Sequence, residues 1–313
     1  MPDLVDQMLS GDRLALSRLI SMVEGRSKDL VSIMSRVHAR LNRFDRCGKC
    51  YRIGVTGPPG AGKSTLVDRL ITHLRRNEKT IGVIAIDPSS PFSGGAVLGD
   101  RIRMQDHAGD EGVFIRSLGS RGSHGGVSRA TREVAKLYDA FGMDFVIVET
   151  VGVGQTELDI MEIADSTIVI VTPESGDAIQ TLKAGILEIA DIFVVNKADR
   201  DGADLMQAEL KAMLEMGGRK DSWKTPVLPV QAHKGLGVAE LVQSLEDHRA
   251  FRRDKGKGCD RERKKRIALE EAKEIIFEEL QSRISKKLGG KRIPKIENPY
   301  EFARDYLRKI DKS

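Results

Sequence analysis

The amino-acid sequence predicts an α/β fold, a mainly parallel sheet wrapped by helices and flanked by helical N- and C-terminal extensions. Three observations predict it. Seven short apolar runs recur through the middle of the chain, they alternate with longer amphipathic segments, and within each run nearly every residue is apolar. A strand apolar at successive positions is buried on both faces, which calls for helices on both sides of one sheet and therefore for parallel crossover connections. The runs cover 53–55, 81–86, 113–115, 145–148, 167–171, 192–195 and 227–230.

The elements follow in chain order. Residues 3–45 read as helical, because Leu30, Ile33, Val37, Leu41 and Phe44 recur at three- and four-residue steps. This defines an N-terminal extension over 1–48 and an α/β domain over 49–250. A basic, glycine-containing linker is expected at roughly 252–261, within a third region, 251–313. Beyond it Leu269, Ala272, Ile276, Leu280, Ile284 and Leu288 form one helical stripe, expected to pack on the core or on another chain.

Composition narrows the class. With 40% hydrophobic and 31% charged residues, the chain has enough apolar content for a sizeable core. The net charge of +5 owes much to the run Arg252 to Arg266, which reads as a solvated face and not as a nucleic-acid surface. No stretch is apolar for long enough to span a membrane, and the acidic start Met1-Pro2-Asp3-Leu4-Val5-Asp6 is unlike a signal peptide, so a cytoplasmic location is expected. Cys47-Gly48-Lys49-Cys50 has CxxC spacing, but zinc needs about four ligands. The third cysteine, Cys259, lies far along the chain, so reduced thiols are expected.

The strongest motif is Gly57-Pro58-Pro59-Gly60-Ala61-Gly62-Lys63-Ser64, a full match to G-x-x-x-x-G-K-[ST], between a strand ending at Thr56 and the helical pattern Leu66, Leu70, Leu74. Glycines let successive backbone N–H groups turn inward around phosphate oxygens, and the following helix start adds partial positive charge. Lys63 reaches the outer phosphates in such a loop, and the Ser64 hydroxyl ligates magnesium. Asn196-Lys197-Ala198-Asp199 ends the 192–195 strand, on the edge where open α/β sheets bind ligands. The Asp199 carboxylate can accept two hydrogen bonds from guanine, and adenine lacks that donor pair. Gln231-Ala232-His233, at the end of another strand, suits a turn that contacts the base, and Lys234 to Gly237 leads from it into the last helix of the domain.

The sequence is a candidate P-loop GTPase, and further carboxylates complete the expected site. Glu149-Thr150-Val151-Gly152 follows the 145–148 strand: a carboxylate here holds a magnesium-bound water, and the Gly152 N–H touches the γ-phosphate. Asp87-Pro88-Ser89-Ser90 offers a second carboxylate. Asp100, in a glycine-rich stretch, either joins the metal set or caps a helix. Small regulatory GTPases place a water-orienting glutamine directly after the glycine of the third motif; here Val153 stands there and Gln155 comes two residues later, so slow intrinsic turnover is expected.

Together Gly57 to Thr65, Asp87 to Ser90, Gly95 to Met104, Glu149 to Gln155 and Asn196 to Asp199 resemble the methylmalonyl-CoA mutase-associated GTPases, the MeaB/ArgK group. Pro173-Glu174-Ser175-Gly176-Asp177 adds to the resemblance. It implies a homodimeric, GTP- and GDP-binding chaperone of an adenosylcobalamin-dependent acyl-CoA mutase, which gates cofactor loading and protects the mutase. It further implies that Lys63, Asp87, Asp100 and Glu149 form the catalytic and metal set, with Mg2+ as cofactor, and that 173–183 is an additional mobile loop. Two other readings compete. A metal-insertion GTPase usually carries histidine-rich tracts, whereas the six histidines here are scattered. A nucleotide-driven kinase tied to amino-acid transport fits poorly with the guanine-reading Asp199.

Overall fold

The computed structural model describes residues 3–43, 50–87, 106–107, 109–119, 126–150, 160, 163–174, 189–216 and 223–288, with 298, 301 and 304. Helices α1 (Leu4–Leu9), α2 (Arg13–Glu24) and α3 (Leu30–Arg43) come first. Then follow β1 (Tyr51–Thr56), α4 (Lys63–Arg76), β2 (Ile81–Asp87), β3 (Val113–Gly119), α5 (Gly126–Phe141), β4 (Phe145–Glu149), β5 (Ser166–Val171), β6 (Ile192–Asn196), α6 (Ala203–Met216), β7 (Val227–Val230), a 3-10 turn (Ala232–Lys234) and α7 (Val238–Leu288).

The seven strands form one sheet in the order β3-β2-β4-β1-β5-β6-β7, and every adjacent pair is parallel. All seven coincide with the apolar runs of the sequence. Double-sided burial is the reason. In β4, Val146 and Val148 join the core beneath α1–α3 and α5, while Phe145 and Ile147 join the core beneath α4 and the start of α7. A third cluster lies between α6 and strands β5–β7. Pro229 is tolerated in β7 because, among the described residues, that strand pairs with β6 alone, and an edge strand has no second ladder to supply.

The chain divides into two compact units, 1–255 and 256–313. The N-terminal helices are thus an integral part of the first unit and do not form a separate appendage. Leu16, Leu19, Ile20 and Val37 are fully buried in the core that also holds Tyr138 and Val148. Polar ties reinforce this packing: Arg13 donates to the Val113 carbonyl at 2.7 Å, and Glu133 of α5 pairs with both Arg26 and Arg129.

The basic, glycine-containing stretch 252–261, expected as a linker, has helical backbone. Helix α7 runs through it to Leu288, and the division between the units falls inside this helix. Gly256 and Gly258 each weaken a helix by about 1 kcal/mol, but propagation within an established helix tolerates such losses. In the second unit Leu269, Ile276, Phe277 and Leu280 are exposed, and the pairs Lys273–Glu270 and Arg283–Glu279 brace the helix surface. Among the described residues no helix is long and apolar enough to cross a membrane.

At the N-terminal edge of the sheet, Tyr51, Ser166 and His248 are hydrogen-bonded in a row, with Asp191 3.6 Å from His248. The order Ser–His–Asp invites a hydrolytic reading, but Ser166 is fully buried, and a nucleophile without access to substrate is a structural element. The row fastens the start of α7 beneath the sheet.

Because Leu16 and Leu19 belong to the core of the first unit, Leu16→Ala is expected to destabilise that unit by about 2–5 kcal/mol. Chemical denaturation followed by circular dichroism would check this. A separable N-terminal extension would instead leave the main transition unchanged.

Candidate functional site

Every sequence motif that the structure describes lies at the C-terminal edge of the sheet. Parallel strands all end there, so the exits of β1, β4, β6 and β7 lie along one edge of the sheet. Strand β1 is central, between β4 and β5, and its exit is the loop Gly57 to Gly62.

Two glycines of this loop are dictated by space as well as by conformation. Gly57 has φ 144°, and a Cβ there would stand 2.2 Å from the Ile170 carbonyl oxygen. Gly62 has φ 88° and precedes α4; a Cβ there would meet the Asn196 carboxamide nitrogen at 2.4 Å. The first turn of α4, with Lys63, Ser64 and Thr65, has backbone N–H groups that no preceding helical turn can satisfy. Such a helix start favours an anion. Pro59 and Gly60 at the loop tip are exposed, Pro58 is half-buried, and the Ala61 N–H closes the loop onto the Pro58 carbonyl at 3.3 Å.

Lys63 is buried and folds back over the loop. Its ammonium donates to the carbonyls of Gly57 at 2.9 Å and Pro58 at 3.0 Å. Both acceptors are neutral, and an anionic oxygen in the loop would be the stronger partner. Next to it the Ser64 hydroxyl donates to Glu149 Oε1 at 2.6 Å, with both residues buried. Below this pair Thr150 donates to the Thr56 hydroxyl at 2.9 Å, and its N–H donates to the Val55 carbonyl at 3.0 Å, so the exits of β4 and β1 are fixed to each other. Asp87 is the last residue of β2, two positions beyond Ala85, the register partner of Glu149. Asp100 and Gly152 lie outside the described residues, as do Val153, Gln155 and the 175–183 part of the expected mobile loop. Among the described residues no group of three or more His, Cys, Asp or Glu is clustered as a metal site.

The segment Asn196-Lys197-Ala198-Asp199 is joined directly to the loop. The Asn196 carboxamide donates to the Ala61 carbonyl at 2.8 Å and accepts from the Ala232 N–H at 3.1 Å. The Ala198 N–H donates to the Val230 carbonyl at 3.1 Å. Lys197 takes the left-handed backbone, φ 56°, which is rare for a residue with a side chain and is held only by a well-determined surrounding. Asp199 is exposed at the crevice rim, and Ala232 is buried between exposed His233 and half-buried Gln231. Gln231 Oε1 is buried with no hydrogen-bond donor among the described residues, an unmet acceptor beside this turn.

One contributor has no motif to announce it. Arg69, on α4, donates to the carbonyls of Ala232 and His233, each at 3.3 Å. The phosphate-type loop, α4, the turn after β7 and Asn196 therefore close a ring of hydrogen bonds. In sequence Arg69 is an ordinary cation on an amphipathic helix. As for the CxxC, Cys50 is buried in the core, and burial pushes its thiol pKa up. Cys47 lies outside the described residues.

A family model described as methylmalonyl-CoA mutase-associated GTPase MeaB matches residues 16–288. A protein of Pyrococcus horikoshii named as a GTPase is 47% identical over 277 residues, covering 88% of this chain and 85% of that protein. The GTPase ArgK of Escherichia coli is 37% identical over 78% of this chain and 74% of its own length. The mitochondrial methylmalonic aciduria type A homolog of Mus musculus is 34% identical, over 77% of this chain and 61% of its own length. Among solved structures, one titled LAO/AO transport system kinase superposes with a TM-score of 0.69 at 27% identity, covering 98% of this chain and 89% of that one.

Arg69 supplies two charge-assisted hydrogen bonds to the turn after β7, so Arg69→Ala is expected to weaken GDP binding about three- to tenfold. Equilibrium titration with a fluorescent GDP analogue checks this. Unchanged affinity would mean that the turn is held without α4.

Proposed function

We infer the function from one premise: the chain belongs to the methylmalonyl-CoA mutase-associated GTPases, the MeaB family. It is a GTPase, and guanine nucleotide is its ligand. Our reading is that it acts as a slow GTP-hydrolysing switch, a chaperone of an adenosylcobalamin-dependent acyl-CoA mutase that gates cofactor loading and protects the mutase. The observation that supports nucleotide binding is the Asn196 bridge, which ties the Asn196–Asp199 segment and the turn after β7 to the loop Gly57 to Gly62. The partner reading rests on the family name and on the relative named for methylmalonic aciduria.

In this reading the loop Gly57 to Ser64, with Thr65, surrounds the phosphates; the backbone N–H groups of Gly60 to Thr65 donate to them, Pro58 and Pro59 having none to offer, and Lys63 holds the β- and γ-phosphate oxygens. Asp199 accepts from the ring N–H and exocyclic amine of guanine. Ala232 and its neighbours Gln231 and His233 border the base, with Lys197 beside it. The Ser64–Glu149 pair fits Mg2+, a hard cation that takes oxygen ligands. A hydroxyl that donates its proton to a carboxylate keeps its lone pairs available for a metal, so Ser64 would hold Mg2+ directly, Glu149 through water, and Asp87 and Asp100 are further oxygen donors for it. Bound there, Mg2+ supplies charge compensation for the phosphates.

Hydrolysis transfers the γ-phosphoryl group to water. The bond to the β–γ bridging oxygen breaks, and GDP and inorganic phosphate leave. Lys63 and the loop N–H groups favour this step by meeting charge that develops on the phosphoryl oxygens, and the Gly152 N–H would add another donor at the γ-phosphate. With Val153 in place of a water-orienting glutamine, the isolated chain lacks a part that a partner can complete. The exposed apolar residues of the second unit, Leu269, Ile276, Phe277 and Leu280, support a homodimer built on that helix.

Unassisted switch GTPases turn over at about 10⁻⁴ to 10⁻² per second, and a group supplied in trans adds about 10³- to 10⁵-fold. Titrating purified acyl-CoA mutase into a GTPase assay is therefore expected to raise kcat, with Lys63→Ala inactive throughout. A flat titration, with no complex in either GDP or a non-hydrolysable GTP analogue, would reject the chaperone reading and leave the GTPase.

A further inference from the structure

Glu174 follows β5 at Thr172-Pro173-Glu174 and reaches the turn that leaves β6. One carboxylate oxygen takes the Lys197 ammonium at 2.7 Å, and the other pairs with the Arg200 guanidinium. Lys197 and Arg200 are the ends of a tight turn, closed by the Arg200 N–H donating to the Lys197 carbonyl at 3.0 Å. Between them in sequence stands Asp199, exposed and without an ion pair among the described residues.

This arrangement has a chemical consequence. A carboxylate that must accept two neutral N–H donors from a base is flanked by two cations on long, flexible stems. Either cation is a stronger partner for a carboxylate than a neutral donor is. Left to themselves they would fold back on Asp199 and compete with the base. Glu174 offers them a second carboxylate in a fixed place, and one acid that engages two cations forms a small network, more persistent than an isolated exposed pair. The left-handed backbone of Lys197 is held from both sides by this contact and by the Asn196 bridge.

We propose that Glu174 is a specificity-determining positioning residue: it sequesters Lys197 and Arg200 and so keeps the Asp199 carboxylate open to the two donors of guanine. Glu174 touches no part of the nucleotide in this role and acts through its neighbours. The proposal rests on the guanine reading of Asp199.

The test measures Kd for GDP and for IDP, whose base has one of guanine's two donors, by displacement of a fluorescent nucleotide. It compares the wild type with Glu174→Gln, Glu174→Asp, Asp199→Asn and the double variant Glu174→Gln/Asp199→Asn. Glu174→Gln is expected to weaken GDP binding about two- to fivefold, in line with an exposed ion-pair network, and IDP binding less. Glu174→Asp should keep most of the affinity, and Glu174→Gln should have no further effect once Asp199 is Asn. An equal loss for GDP and IDP, or a full-sized loss in the Asp199→Asn background, would overturn the proposal and leave the guanine reading intact. If Asp199→Asn itself leaves the GDP to IDP ratio unchanged, the guanine reading falls and this proposal with it.

Discussion

A single carboxamide holds the functional edge of this molecule together. Asn196 closes one hydrogen bond to the phosphate-type loop at Ala61 and another to the base turn at Ala232, and it is buried while doing so. The sheet order makes this possible. Strands β1, β5, β6 and β7 lie side by side and parallel, so their exits stand next to one another and a short side chain spans from one to the next. The same closeness explains Gly62. A methyl group there would occupy the place of the Asn196 nitrogen, so glycine serves packing as much as backbone freedom. Arg69 completes the ring from the opposite side.

The rest of the fold supplies rigidity to this edge. Helices α1–α3 cover one face of the sheet through α5, and α4 with the first turns of α7 covers the other. Buried on both faces, the strands cannot shift register, and the positions of Glu149 and Thr150 relative to Thr56 and Ser64 are inherited from that constraint. A buried carboxylate is tolerable because it is hydrogen-bonded, and its partner is the serine expected beside a metal.

Much of this was legible in the sequence for a physical reason. A strand in a parallel sheet must be apolar on both sides, and a phosphate loop requires glycines at fixed spacing, so both leave local signatures. All seven strands and the loop Gly57 to Ser64 stand where those signatures placed them. What was not legible depends on tertiary position. The periodicity of α3 announced a helix, but nothing local says that α1–α3 belong to the main core. Gly256 and Gly258 suggested a linker, whereas the helical tendency of their charged neighbours carries α7 through them. Arg69 and Glu174 act through carbonyls and cations that lie far away in sequence, and no spacing rule could have singled them out.

Under the proposed function, base recognition and phosphate binding share one hydrogen-bonded frame centred on Asn196. This is tested most directly by comparing wild type and Asn196→Ala for their affinity toward GDP, guanosine and pyrophosphate by calorimetry. Asn196→Ala is expected to weaken pyrophosphate binding as well as guanosine binding, each by about five- to fiftyfold, since two buried hydrogen bonds are lost and the loop loses its brace. Pyrophosphate affinity equal to that of the wild type, with only guanosine binding impaired, would contradict it.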